Sequence, residues 1–292
     1  MDNDIRDKVQ ISSEDIAALN FIRDSGRFVF RKHFRQGLRS RIMEVLDRRD
    51  VRIEEAGKIV NEIRCFPRAR PLFMLRIFIT RFNCLEDALQ EAGMFKIIEK
   101  YLGVGHIAVS DEFVVDYIRA GRRDILLCGL QEYVEGEILD PWGLFPDNPL
   151  VALVSQVLGK SRGSRSGTRK ALARRVYENT DDLIRRLRTM IIEANYIPDL
   201  SGFGNLILTP SGNIKLVDIN NICPVSFGDD IPLDDKGYPA CDKSIEVLAI
   251  LEQKLLRRPL DMKDAIYRIF LDPGRMRKVN VLEKKFKAEF TA

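Results

Sequence analysis

The chain has 292 residues, 45% hydrophobic and 31% charged, with a formal net charge of +4. These proportions fit a water-compatible globular protein long enough to bury a full core in one large domain or two lobes. No apolar run approaches the roughly 20 residues that span a bilayer, and the start Met-Asp-Asn-Asp-Ile-Arg-Asp lacks the blocks of a signal peptide, so a cytoplasmic location is expected. Five cysteines (Cys65, Cys84, Cys128, Cys223 and Cys241) never form Cys-x-x-Cys, which argues for reduced thiols packed as small apolar residues. With only His33 and His106, neither a His-based metal site nor a Ser-His-Asp triad finds support.

In chain order, Phe21-Ile22-Arg23 and Phe28 to Phe34 flank Asp24-Ser25-Gly26-Arg27 and read as a β-hairpin. Residues of about 38 to 64 read as helical, with Leu38, Ile42, Val45, Leu46, Ile53, Ala56, Ile59 and Ile63 at helical spacing. Leu72 to Ile79 suits a buried strand, and Leu85 to Leu102 a helix that Gly103 and Gly105 end. Phe113 to Ile118 and Asp124 to Leu130 read as two further strands joined at Arg119-Ala120-Gly121-Arg122. Most of the β-structure is thus expected before residue 130.

From Pro141 the pattern becomes helical. Leu172, Val176, Leu183, Leu187 and Ile191 form one apolar stripe of a helix of about 25 residues, which delivers the chain to Pro198 and Asp199. A hairpin follows, Asn205 to Leu208 against Asn213 to Asp218, turning on Pro210-Ser211-Gly212. Helices are expected from Lys243 to Leu256 and after Met262. Between Lys160 and Arg175 stand seven basic residues and no acidic one. This segment reads either as a solvated loop entering a helix or as a docking surface for an anionic partner such as an acidic membrane.

The stretch Asn195 to Ile222 holds most of the chemistry. Asp199 precedes a short loop, Asn205 ends it, and Asp218 follows the hairpin. A carboxylate beside an oxygen-ligand pair is what phosphoryl transfer needs: one group orients the attacking hydroxyl and two oxygens hold Mg²⁺ against nucleotide phosphates. Taken singly, the three are ordinary turn and capping residues.

The order hairpin, helices, strand, helix, two strands, long helix, loop, hairpin and helix resembles the protein-kinase-like superfamily, and more narrowly its atypical bacterial members. These include lipopolysaccharide-core kinases, aminoglycoside phosphotransferases and PhoP-network kinase-like regulators. The resemblance implies an α+β fold with a β-rich N-terminal lobe at 1–130 carrying a helical insertion. A hinge at 131–140 and a helical lobe at 141–292 would follow. It implies ATP and Mg²⁺ as cofactors, Asp199 as catalytic aspartate, Asn205 and Asp218 as metal ligands, and Glu132, Tyr133 and Val134 as hinge contacts to the nucleotide. Asp242 resembles the buried aspartate that begins a central helix and ties down the catalytic loop.

The departures from the family are as specific as the matches. Ile197-Pro198-Asp199 replaces His-Arg-Asp, the Asp199 to Asn205 loop is one residue longer, and Asp218-Ile219-Asn220 stands for Asp-Phe-Gly. Asn220 is expected to tolerate the positive φ of that glycine. No Gly-x-Gly-x-x-Gly occurs, and the phosphate-binding cation is either Lys32 or Arg76, with Glu91 as partner of the latter. The reading is an ATP-dependent phosphotransferase acting on a hydroxyl of a small molecule, sugar or glycolipid headgroup, at the cytoplasmic side and peripheral to the inner membrane. The alternative is a pseudokinase scaffold. Nucleic-acid binding ranks last, because the basic segment lacks interleaved aromatics.

Overall fold

The computed structural model describes residues 4–8, 10–34, 39–119, 121–143, 149–159 and 166–291. The fold is α+β and divides into two compact units, a sheet-rich one (Met1–Met94 with Val109–Tyr133) and a helix-rich one (Phe95–Ala108 with Val134–Ala292). No helix among the described residues is long and apolar enough to cross a membrane.

The first unit opens with a short helix α1 (Ser13–Ala17), capped reciprocally by Ser12 and Asp15. Strands β1 (Phe28–Lys32) and β2 (Ser40–Asp47) lead into helix α2 (Arg48–Ala56). A small hairpin follows, β3 (Lys58–Val60) with β4 (Ile63–Cys65), and then β5 (Phe73–Phe78) and the first part of helix α3 (Leu85–Leu102), which from Phe95 belongs to the second unit. The unit closes with β6 (Ser110–Arg119) and β7 (Arg122–Glu132). Five strands form one antiparallel sheet in the order β1-β2-β5-β7-β6. Phe30, Met43, Leu75, Ile77, Leu126 and Cys128 form its core, with Ile5 and Ile16 from the N-terminal segment.

Two sequence expectations fail here. The partner of β1 is β2, with Phe28 opposite Asp47, and not Phe21-Ile22-Arg23. In the stretch of about 38 to 64, Leu38 lies outside the described residues, and from Ser40 the chain is a strand, a helix and a hairpin, not a run of helices. The cause lies in β2, where Met43, Glu44, Val45 and Leu46 are all buried. A strand covered on both faces shows no period-two alternation, so its apolar residues fit a helical template equally well. Asp47 then caps α2 by accepting from the Arg49 N–H.

The second unit contains β8 (Glu137–Ile138), helix α4 (Pro149–Gly159) and the 29-residue helix α5 (Ser166–Ala194). Its short strands are β9 (Tyr196–Pro198), β10 (Leu206–Leu208), β11 (Ile214–Leu216) and β12 (Ile222–Pro224). Helix α6 (Ala240–Ile250) runs on as a π-helical turn (Leu251–Leu255), and α7 (Ala265–Phe270) and α8 (Pro273–Thr291) complete the unit. The expected stripe of α5 is fully buried, from Leu172 to Ile191. Asn195, at φ +55, ends that helix in the left-handed region and turns the chain into β9. Three strands pair as β11-β10-β8 and two as β12-β9.

Asp242 and Arg275 form a buried ion pair across α6 and α8, with Arg275 Nε donating to Oδ1 at 2.5 Å and Nη2 to Oδ2 at 3.1 Å. Removing one partner strands a charge, whereas removing both costs far less. Arg275→Ala should lower the unfolding free energy by about 3–5 kcal/mol, and Arg275→Met with Asp242→Leu by markedly less. Urea denaturation checks both, and equal losses would show that the pair contributes only by packing.

Candidate functional site

Asp199 leaves β9 where that strand is pinned to β12. Pro198 stands opposite Ile222, and the Asp199 N–H donates to the Asn221 carbonyl at 2.8 Å. The carboxylate accepts from Ser201 twice at Oδ1, from its N–H at 2.8 Å and from its hydroxyl at 2.6 Å. Among the described residues Oδ2 is met by a single long contact, 3.4 Å, from Asn221 Nδ2. Burial pushes the Asp199 carboxyl above its ordinary value; the Ser201 hydrogen bonds oppose the shift and the Asp218 charge adds to it.

The loop after Asp199 is tied at three points. Leu200 N–H donates to Ser244 Oγ at 3.0 Å, and Trp142 Nε1 donates to the Ser201 carbonyl at 3.1 Å. The third tie is a turn from Gly202 to Asn205, closed by the Asn205 N–H on the Gly202 carbonyl at 3.0 Å. Gly204 sits at φ +83, as the third residue of a type II turn requires. Asn205 Nδ2 reaches back to the Asp199 carbonyl at 2.9 Å. A carbonyl only accepts, so the NH₂ must face it and Oδ1 is the amide's remaining acceptor. Gly202 makes this possible, since a Cβ there would lie 2.6 Å from Asn205 Nδ2 and 2.8 Å from Oδ1.

Hairpin β10–β11 brings in the third residue. The Asn205 carbonyl accepts from Val217 N–H at 2.8 Å, and Asp218 follows directly. Asp218 Oδ1 accepts from the Asn220 N–H at 3.2 Å, a local turn of the Asx type. Asn220 does not adopt the positive φ expected of it; among described residues only Asp24, Asn61, Glu62, Asn195 and Arg257 do so without being glycine. One circuit of backbone and amide bonds thus joins Asp199, Asn205 and Asp218. Asn205 Oδ1 and the Asp218 carboxylate are hard oxygen donors that fit Mg²⁺, a cation that keeps waters and phosphate oxygens in its remaining positions. Among the described residues no group of three or more His, Cys, Asp or Glu side chains is arranged to hold a metal.

Lys32, Arg76, Glu91, Glu132 and Tyr133 belong to the sheet-rich unit. Arg76 on β5 is 1% exposed; its Nη2 donates to Glu112 Oε1 at 2.6 Å and Ser110 Oγ at 2.9 Å. Its guanidinium passes over Gly129, where a Cβ would lie 3.0 Å from Nη2. Glu91 on α3 stands 3.5 Å from Arg39. Lys32 is exposed at the end of β1. Glu132 ends β7 and accepts from Val109 N–H at 3.1 Å, while Tyr133 and Val134 lie in the irregular segment before β8. Of the basic run, Lys160, Arg162 and Arg165 fall outside the described residues, and Arg169, Lys170, Arg174 and Arg175 are exposed on the first turns of α5.

Asp242 does not tie down the loop. Ser244, two residues further along α6, holds Leu200 instead, while Asp242 is taken by Arg275. Beyond the turn at Gly202, the sequence pattern did not mark Ser201, Asn221 or Ser244. Only Ser201 carried a local signal, a hydroxyl two residues after an aspartate.

No protein-family model and no curated protein matches the chain. Solved structures do match, among them the ROP18 kinase domain in complex with AMP-PNP and sucrose. It is 9% identical, with 91% of this chain and 83% of that chain covered and a TM-score of 0.36. So distant a likeness assigns no residue role here.

The raised Asp199 carboxyl has a sign that can be tested. Its proton is held more tightly folded than unfolded, so stability is lost as pH rises from the ordinary value of 3.8 through the raised folded one. Asp199→Asn, which carries no charge, should therefore be at least as stable as the parent at pH 7, with the gap closing towards pH 4. Urea denaturation at the two pH values measures this; a variant less stable at neutral pH would show that the charge is favourably solvated.

Proposed function

We propose that the chain is a kinase-like phosphotransferase that moves the γ-phosphoryl group of ATP to a hydroxyl of a small molecule, sugar or lipid headgroup. The observation that carries this reading is the Asn205 amide, turned by the Asp199 carbonyl so that its oxygen is available beside the Asp218 loop. Turn and capping residues alone need no glycine cleared of its Cβ against an amide, as Gly202 is. Mg²⁺, when bound, neutralises charge on the β- and γ-phosphates.

In this reading Asn205 and Asp218 hold the cation. Asp199 Oδ2, the oxygen not engaged by Ser201, accepts the proton of the acceptor hydroxyl as the new P–O bond forms and the bond to the ADP oxygen breaks. A raised carboxyl makes Asp199 a somewhat better base than an exposed aspartate. After Asp218 the chain forms β12 on β9 and then has only residues 225–239 before α6, little length with which to hold a peptide substrate. That favours a small acceptor.

One observation favours a pseudokinase scaffold instead. Arg76, on the third strand of the sheet where kinases place their phosphate-binding lysine, is buried and engaged by Glu112. Calorimetry and turnover separate the readings. Asp218→Ala should abolish Mg²⁺-dependent ATP binding, while Asp199→Ala should keep nucleotide affinity and lose turnover by about 100-fold or more. Gly202→Ala, which pushes the Asn205 amide aside, should weaken Mg²⁺–ATP binding by about 10- to 100-fold. If the parent binds ATP without phosphoryl transfer or hydrolysis, the scaffold reading stands. If Asp218→Ala binds ATP and Mg²⁺ as the parent does, the metal assignment fails.

A further inference from the structure

Residues 58–68 are exposed without interruption, and they include the whole of the β3–β4 hairpin. Those strands pair with each other and with no other described strand, in the register Lys58 to Cys65, Ile59 to Arg64 and Val60 to Ile63. The pleat places Val60 and Ile63 on one face with Lys58 and Cys65, and Ile59 on the other with Arg64 and, beyond it, Phe66. Ile59 is 69% exposed, Ile63 67% and Phe66 60%. Asn61 and Glu62 have φ of +50 and +65, the pattern of a two-residue type I′ turn, which fixes this register. At the base, Gly57 at φ +75 leaves room for Arg64 and Phe66, 2.9 and 3.0 Å from where its Cβ would be. The finger is therefore a formed element that keeps large apolar side chains in water on both faces, an arrangement that soluble surfaces avoid.

Its charge is one-sided. From 58 to 70 the ionised residues are Lys58, Arg64, Arg68 and Arg70 against Glu62 alone, with Arg68 also 3.7 Å from Glu44. We infer that this finger docks the chain onto an anionic lipid surface, at the boundary of headgroups and acyl chains. A protein groove would cover one face of the ribbon and leave either Ile59 and Phe66 or Val60 and Ile63 in water. An acyl boundary covers both, and the flanking cations meet lipid phosphates and carboxylates. Glu62 in the turn opposes deeper insertion, so the docking is shallow. This inference does not depend on the phosphotransferase reading.

Cys65 on the hairpin provides the probe. A full-length chain with Cys84→Ser, leaving the other three cysteines buried, is labelled at Cys65 with an environment-sensitive fluorophore. It is mixed with vesicles of phosphatidylcholine alone or with phosphatidylserine added. The expected result is a blue shift with the anionic vesicles only, weakened by salt, together with co-sedimentation. Ile63→Ser with Phe66→Ser should reduce sedimentation of the unlabelled chain by about tenfold or more, and Lys58→Glu by a similar factor because the charge reverses. These side chains are exposed, so an unchanged thermal midpoint is expected as a folding control. Sedimentation without a shift at Cys65 would place binding elsewhere, for instance on the basic start of α5, and overturn the inference. A concentration-dependent shift without vesicles would do so in favour of a second copy of the chain.

Discussion

The hydrogen bond from Asn205 Nδ2 to the Asp199 carbonyl is the constraint on which the rest of the site depends. It fixes the amide's orientation, closes the loop around Gly202, and holds a backbone carbonyl at Asp199, whose half-buried carboxyl is raised. The same asparagine, through its own carbonyl, takes the Val217 N–H and so sets where Asp218 stands. A residue that would otherwise be a turn former thus couples a strand end, a loop and a hairpin. Two carboxylates of like sign are thereby kept close enough for Asp218 to raise the Asp199 carboxyl, a tension that a divalent cation would relieve.

Much of this was legible in the sequence, and the illegible part has physical causes. The stripe of α5 keeps one period over its length, while β5, the β6–β7 pair and the β10–β11 hairpin stand as compact apolar runs between turn residues, and each forms where expected. Strand β2 does not, because burial of both its faces erases the alternation. Asp199, Asn205 and Asp218 could be singled out by spacing, whereas Ser244 could not. Its link to Leu200 spans 44 residues and is decided by how α6 packs, information that local pattern does not contain. Gly202 was legible as a turn residue, but the amide it makes room for appears only in three dimensions.

Arg76 is a residue whose partners the local pattern leaves open. An arginine inside Phe-Met-Leu-Arg-Ile-Phe looks like a cation presented from a strand to an anionic ligand. In the fold it lies across two neighbouring strands, over Gly129 on β7 to Glu112 and Ser110 on β6. Arginine suits that use, since the two protons of Nη2 can bond a carboxylate and a hydroxyl at once while the group remains charged. The glycine opposite is needed for the same reason, because any Cβ at 129 would press on the guanidinium.

The replacement of an expected aspartate by Ser244 at the loop anchor follows from charge. A third carboxylate against Leu200 would stand near Asp199 and Asp218 and push the Asp199 carboxyl further from ionisation. A hydroxyl accepts the Leu200 N–H equally well and adds no charge. Asp242, two residues earlier in the first turn of α6, still complements the positive end of the helix dipole, and Arg275 neutralises it there. Separating the two duties between Ser244 and Asp242 lets α6 hold the loop without adding a charge beside Asp199 and Asp218.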